Sequence, residues 1–199
     1  MKKILFLILS LCSSGMAYSD LTWSTPPTII STPLTDASEP QVVIDSNNNI
    51  TAVWIENDII MASSLPSAGS WSTPVAISNV SLFSEQPRLG IDEDGNVTAI
   101  WVQDIEIVSA ILPFGGSWST ATSISGSDAF DPALAVFEFG DAVAVWERNG
   151  FIESSTRIAG TWSLSATLSE ANSFNADVAI SNRSETAIAT WTTVSGSNY

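Results

Sequence analysis

Histidine is absent from the 199 residues, and cysteine occurs once, at Cys12. Nucleophilic triads that depend on imidazole or thiolate are thereby excluded, and so are metal centres built on those ligands. No disulfide framework is open to the chain, so its stability rests on packing. Basic residues are scarce as well: six Lys and Arg stand against 21 Asp and Glu. So few cations exclude nucleic acid as a partner, because phosphate binding needs them clustered. The acidic balance instead keeps the chain soluble and attracts cations or basic ligands. Long apolar runs are missing too, since the stretch from Ile4 to Leu11 is too short to span a bilayer.

That stretch belongs to an export address. Lys2 and Lys3 give a positive start, Ile4 to Leu11 an apolar core, and Ala17-Tyr18-Ser19 a cleavage site of small residues. Residues 1–19 therefore read as a signal peptide and 20–199 as a single repeat domain, secreted or held in the periplasm or cell envelope, with no membrane insertion after cleavage. Lipid attachment at Cys12 is disfavoured by Leu11, where a small side chain is wanted. Cleavage removes the cysteine and both lysines, and leaves Arg88, Arg148, Arg157 and Arg183 against all the acids.

Tryptophan is plentiful, and its eight copies fall into two series. Trp54, Trp101, Trp146 and Trp191 are spaced by 47, 45 and 45 residues; Trp23, Trp71, Trp118 and Trp162 by 48, 47 and 44. Two residues before each member of the first series stands Ala52, Ala99, Ala144 or Ala189. In a strand that alanine shares the face of the ring and leaves it room. Fourteen residues before each stand Pro40, Pro87, Pro132 and Asp177, placed to open a strand.

Each unit divides into four short strands. Strand a is QVVID, RLGID, ALAVF or VAIS, a continuous apolar run. A turn rich in Asn, Asp and Gly follows, as in Glu93-Asp94-Gly95-Asn96. Strand b ends at the first-series Trp, strand c is DIIMASS, IEIVSA or FIESST, and strand d opens at the second-series Trp. No segment carries a helical period with caps. The fold class is all-β: a β-propeller of about four four-stranded blades of 44–48 residues, the last incomplete. A β-sandwich is the rival, but it has no reason to repeat Ala-x-Trp at this spacing.

At IDEDGNVTAIW followed by GSWSTATSIS, the sequence resembles bacterial secreted β-propeller repeats of the sialidase-like, or BNR, group. The resemblance runs over residues 23–199 and implies the fold. It implies no sialidase activity, because the arginine triad and tyrosine nucleophile of sialidases find no match: four arginines remain after cleavage, and the remaining tyrosine is Tyr199.

Carboxylate chemistry is what the composition leaves: a glycosidase pair or a hard-cation site. In such blades the d-to-a and b-to-c connections share one end, and most of the acids fall there. Glu39, Glu85, Asp131 and Asp177 recur around the start of strand a and form the candidate ligand rim, able to collect Ca2+, a cationic ligand, a glycan or a protein partner. A solvated acidic face is the plainer account of the same residues. No catalytic residue, resident cofactor or metal ligand is assigned. The chain is thus expected to be an exported binding or interaction module without catalysis of its own; the alternative is a fragment of a carbohydrate-active propeller enzyme. After Trp191 only eight residues remain. A longer propeller, a four-bladed ring with one short blade, and a homodimer that completes the ring all accommodate that.

Overall fold

A computed structural model describes residues 26–194, and backbone pairing alone for residues 5, 6, 9, 10, 22 and 23. The cleavage site, the side chain of Trp23 and Tyr199 lie outside the described residues. Among the described residues there is no helix long and apolar enough to cross a membrane, and the single helical element is a 3-10 turn at Asn182–Ser184.

Four short strands come first: β1 (Leu5–Phe6) pairs with β4 (Thr28–Ile29), and β2 (Leu9–Ser10) with β3 (Thr22–Trp23). Sheet I is β5 (Ala37–Ile44), β6 (Ile50–Glu56), β7 (Ile59–Leu65) and β8 (Val75–Ala76). Sheet II repeats it with β9 (Ser84–Ile91), β10 (Val97–Gln103), β11 (Glu106–Leu112) and β12 (Thr122–Ser123). Sheet III is β13 (Ala129–Val136), β14 (Ala142–Arg148) and β15 (Phe151–Ile158), with β16 (Thr161–Trp162) and β17 (Ala166–Thr167) both on β15. Sheet IV holds β18 (Ser173–Ser181) and β19 (Thr186–Thr193). All pairings are antiparallel.

The architecture is all-β, as the repeat requires, with two differences in the strands. Strand d shrinks to two-residue bridges, because one serine does part of its pairing: Ser78, Ser125 and Ser169 accept the backbone N–H of Ile60, Ile107 and Ile152 on Oγ at 2.8–2.9 Å. Strand a starts earlier than its apolar run. The prolines stand inside it, at a bulge, where a missing N–H costs no ladder bond. Pairing skips from Ser38 to Gln41, from Glu85 to Arg88, from Phe130 to Ala133 and from Phe174 to Asp177. Ala176, one residue before Asp177, therefore holds the place of the prolines in sheet IV. From the bulge to the tryptophan the β18–β19 hairpin is one residue longer than the others, its first strand having nine residues against eight, which displaces the fourteen-residue spacing.

The first strands of successive sheets pack side by side, β5 on β9, β9 on β13 and β13 on β18. Gly90 of β9 makes this approach possible: a Cβ there would lie 2.3 Å from Val136 Cγ2 on β13. Tryptophans fill the space between sheets. Trp101 packs with Val53, Ile60 and Ala62 of sheet I, and Trp146 with Ile100, Val102 and Ile107 of sheet II. Trp54, Trp101 and Trp146 are 0 % exposed, whereas Trp191 is 38 % exposed. Trp71, Trp118 and Trp162 lie half-buried against the same clusters.

A second repeated contact anchors the loop that leads into strand a. Thr32 N donates to Glu56 Oε1 at 2.7 Å and Asn79 N to Gln103 Oε1 at 2.8 Å. At the same register position Arg148 Nε donates to Ser127 O at 2.7 Å. Glu56 also accepts the Trp54 indole N–H at 2.7 Å.

Candidate functional site

The bulge decides where the acids point. Its second residue is left-handed in every sheet, with φ of 49° at Glu39, 54° at Gln86, 53° at Asp131 and 53° at Asn175. That region disfavours side chains other than Gly, Asn and Asp, so Glu and Gln there are held against a local cost. Hydrogen bonds across the sheets hold them. Gln86 N donates to Glu39 Oε2 at 3.0 Å, and Asp131 N donates to Gln86 Oε1 at 2.8 Å. The Gln86 amide also donates through Nε2 to Asp131 Oδ1 at 3.3 Å. A side chain of sheet I thus receives the bulge N–H of sheet II, and one of sheet II that of sheet III.

The four rim residues do not occupy one repeated position. Glu39 and Asp131 sit at the left-handed position, Glu85 just before it, and Asp177 two residues beyond Asn175. Glu39 and Asp177 are exposed; Glu85 and Asp131 are half-buried. Glu39, Glu85 and Asp131 are electrostatically coupled. Partial burial, then the charges of Glu39 and Asp131, raise the Glu85 carboxyl above the ordinary glutamate range. Glu147, in β14, is raised by burial and then by Asp131. Asp177 stands apart from this group: its carboxylate Oδ1 accepts the backbone N–H of Val178 at 2.9 Å. Together with Asp131, Asn175 and Arg88 it lines a cleft of about 280 Å³ across sheets II, III and IV.

Sequence reasoning passed over two members of this site. Gln86 carries no charge and drew no attention, although its spacing from Glu39 and Asp131 marks it as their counterpart. Arg88 was counted only as a cation, yet it stands on the same strand as Glu85 and Gln86. Among the described residues no group of three or more carboxylates is gathered as a metal centre requires. The calcium expectation therefore finds no ligand set there.

A larger cleft of about 400 Å³ opens between sheets III and IV at the opposite end, by the a-to-b turns. Phe137, Phe139, Val143, Ile158 and Ala187 give it mainly apolar walls. Arg157 also borders it, but the guanidinium is turned into the protein, donating to Gly140 O at 2.7 Å and lying 5.5 Å from the Trp162 ring centroid. Burial lowers its pKa against the pull of Asp92 and Asp141. This end is tied together by turns: Asn49 and Asn96 donate through their amides to Asp45 and Asp92 at 2.7 and 2.9 Å. Carboxyls raised by burial and by neighbouring charge are found at the acid mouth, which is the candidate site.

No protein-family model and no curated protein matches the chain. Solved structures do. A protein of unknown function from Dyadobacter fermentans is similar at a TM-score of 0.59 and 10% identity, over 79% of this chain and 58% of its own. A Hadza microbial sialidase is similar at 0.51 and 18% identity, over 72% of this chain and 37% of its own. An exo-β-1,3-galactanase from Clostridium thermocellum reaches 0.47 at 12% identity, over 69% of this chain and 37% of its own. The chain thus spans less than two thirds of the length of each.

The expectation of a chain set apart from enzymes is corrected by this comparison, since the sialidase carries the same fold. The expectation rested on the absence of a catalytic set that could be placed from the sequence. Lack of histidine and cysteine removes two kinds of nucleophilic chemistry, and leaves untouched the carboxylate chemistry that cleaves glycosidic bonds.

Proposed function

We propose that this chain carries the acid mouth of an exported, carbohydrate-active propeller that hydrolyses glycosidic bonds with paired carboxyls. The carrying observation is Glu85, a half-buried glutamate whose carboxyl is raised by burial and by Glu39 and Asp131. Glycoside hydrolysis needs one carboxyl that holds its proton and another that does not. Glu85 fills the first role and protonates the leaving oxygen. Asp131, held through Oδ1 by the Gln86 amide, fills the second. The neighbouring cleft with Arg88, Asn175 and Asp177 receives the sugar hydroxyls. Similarity to a sialidase fold supports the substrate class, and the N-terminal address supports a secreted or periplasmic setting. A neutral glycan suits the mouth, because one arginine among several acids offers little hold to a carboxylate-bearing sugar.

The test is release of reducing ends from a panel of neutral polysaccharides, with wild type and Glu85→Gln side by side. Turnover is expected from the wild type, falling as pH rises and Glu85 loses its proton, with about 10²- to 10⁴-fold less from the variant. A folded variant as active as wild type would remove Glu85 from the chemistry, and a panel left intact by wild type would remove the function.

A further inference from the structure

The outer edges of sheets I and II enclose a further cleft of about 420 Å³, within the size range of small-ligand sites. Ile77, Ser78 and Asn79 wall it from sheet I, and Gln103, Trp118 and Ser119 from sheet II. It runs along strand d, the outermost of each sheet, apart from the strand-a bulges of the acid mouth. No residue of its lining is charged, on a chain with 21 acids. Its polar groups are donors that the protein does not use. Gln103 Oε1 accepts Asn79 N at 2.8 Å and Asn79 Oδ1 accepts Ser81 N at 3.0 Å, so the acceptor of each amide is taken. Among the described residues their NH2 groups donate to nothing.

The two serines sharpen this. Ser78, only 8% exposed, accepts Ile60 N at 2.9 Å, and Ser119 accepts Ile111 N at 3.0 Å. Neither hydroxyl finds an acceptor of its own among the described residues. At the same places in the other sheets it does: Ser125 donates to Gly126 O at 2.8 Å, Ser169 to Glu170 O at 2.9 Å and Ser163 to Leu164 O at 2.9 Å. The next boundary shows how the repeat closes such a cleft. There Arg148 stands at the register position of Gln103, and Gly126 follows Ser125 as Asn79 follows Ser78. A Cβ on Gly126 would lie 2.9 Å from the Arg148 guanidinium, which donates to Ser127 O and to Glu153. That guanidinium takes up the place that stays open between sheets I and II.

We infer that this cleft holds a pyranose unit of a neutral glycan, its C–H face on the half-buried indole of Trp118 and its hydroxyl oxygens accepting from Gln103, Asn79, Ser78 and Ser119. An anion would find no cation in the lining, and a cation no carboxylate. What the lining suits is an uncharged ligand rich in acceptors and with one apolar face, because each donor it covers would otherwise be buried unpaired. A sugar ring has both properties. The choice of a glycan among such ligands rests on the function proposed above. The site is one of holding, since no lining side chain carries a carboxyl, and it is separate from the acids of the mouth.

The test titrates ¹⁵N-labelled Glu85→Gln protein with neutral gluco-, galacto-, xylo- and arabino-oligosaccharides, and follows the indole N–H of Trp118 and the side-chain amides of Asn79 and Gln103 by NMR. At least one of these sugars is expected to shift all three signals saturably. Gln103→Glu, made in the same background, should weaken that binding about tenfold through the loss of one donor. The change keeps an oxygen for Asn79 N, as Glu56 already serves Thr32 N in sheet I, so the loop is retained. Signals that no sugar moves overturn the inference. So does binding that Gln103→Glu leaves unchanged, or a proline-rich peptide that shifts the signals in place of the sugars. Glu85 is replaced throughout, so the readout is separate from turnover: a wild type that cleaves nothing removes the chemistry of the mouth and leaves the Trp118 shifts to be judged by themselves.

Discussion

At the scale of the residue, burial separates Trp54, Trp101 and Trp146 from the acids at the strand-a bulges. Trp101 is fully buried between two sheets, and removing a ring of that size leaves a cavity that surrounding strands cannot collapse into. Trp101→Ala is expected to destabilise the protein by about 3–5 kcal/mol, read from the shift in a urea unfolding curve. A change below about 1 kcal/mol would contradict the packing role. Their spacing made these rings legible, because equal steps of sequence in a repeat return a side chain to the same place. The acids were legible as a class and illegible one by one. Glu39 and Glu85 look like counterparts to the eye, but the left-handed residue of sheet II is Gln86. A bulge moves register by one residue, and nothing in composition reveals which of two adjacent polar residues takes the strained position.

At the scale of the element, the hairpin between strands a and b was the clearest feature of the sequence, and its chemistry explains why. Asp92 accepts the Asn96 backbone N–H at 2.8 Å and its amide at 2.9 Å, while Asn96 Oδ1 accepts Phe114 N at 3.0 Å from the c-to-d turn. Asp45 and Asn49 repeat the arrangement in sheet I, with Asn49 Oδ1 accepting Ser67 N at 3.0 Å. One side chain therefore ties two turns of a sheet together. Asn96→Ala should cost about 1–3 kcal/mol through the bonds it removes, measured by thermal unfolding, and Asn96→Asp should restore part of that loss. Sheet III makes that substitution already: Asp141 Oδ1 accepts Ala159 N at 3.1 Å. Equal stability of wild type and Asn96→Ala would show that the turns hold without it. Strand d was misjudged for an opposite reason. Its serine replaces ladder bonds with a side-chain acceptor, so a segment that reads as eight residues of strand pairs over two.

At the scale of the whole molecule, the succession of sheets brings acids from different repeats into one field. Glu39 lies on the first sheet, Glu85 on the second and Asp131 on the third, and Gln86 links the outer two, its backbone N–H donating to Glu39 and its side-chain amide to Asp131. Local sequence could place each acid near the start of its strand a; only packing of β5, β9 and β13 side by side makes them act on one another. The proposed chemistry depends on that convergence. Its most direct test is the pH titration of the Glu85 side-chain carboxyl by ¹³C NMR, in wild type and in Asp131→Asn. Glu85 should titrate above the ordinary glutamate value in wild type, and lower in the variant, because a charge one sheet away has been removed. An ordinary value that Asp131→Asn leaves unmoved would mean that the acids do not converge, and the mouth would lose its proton donor.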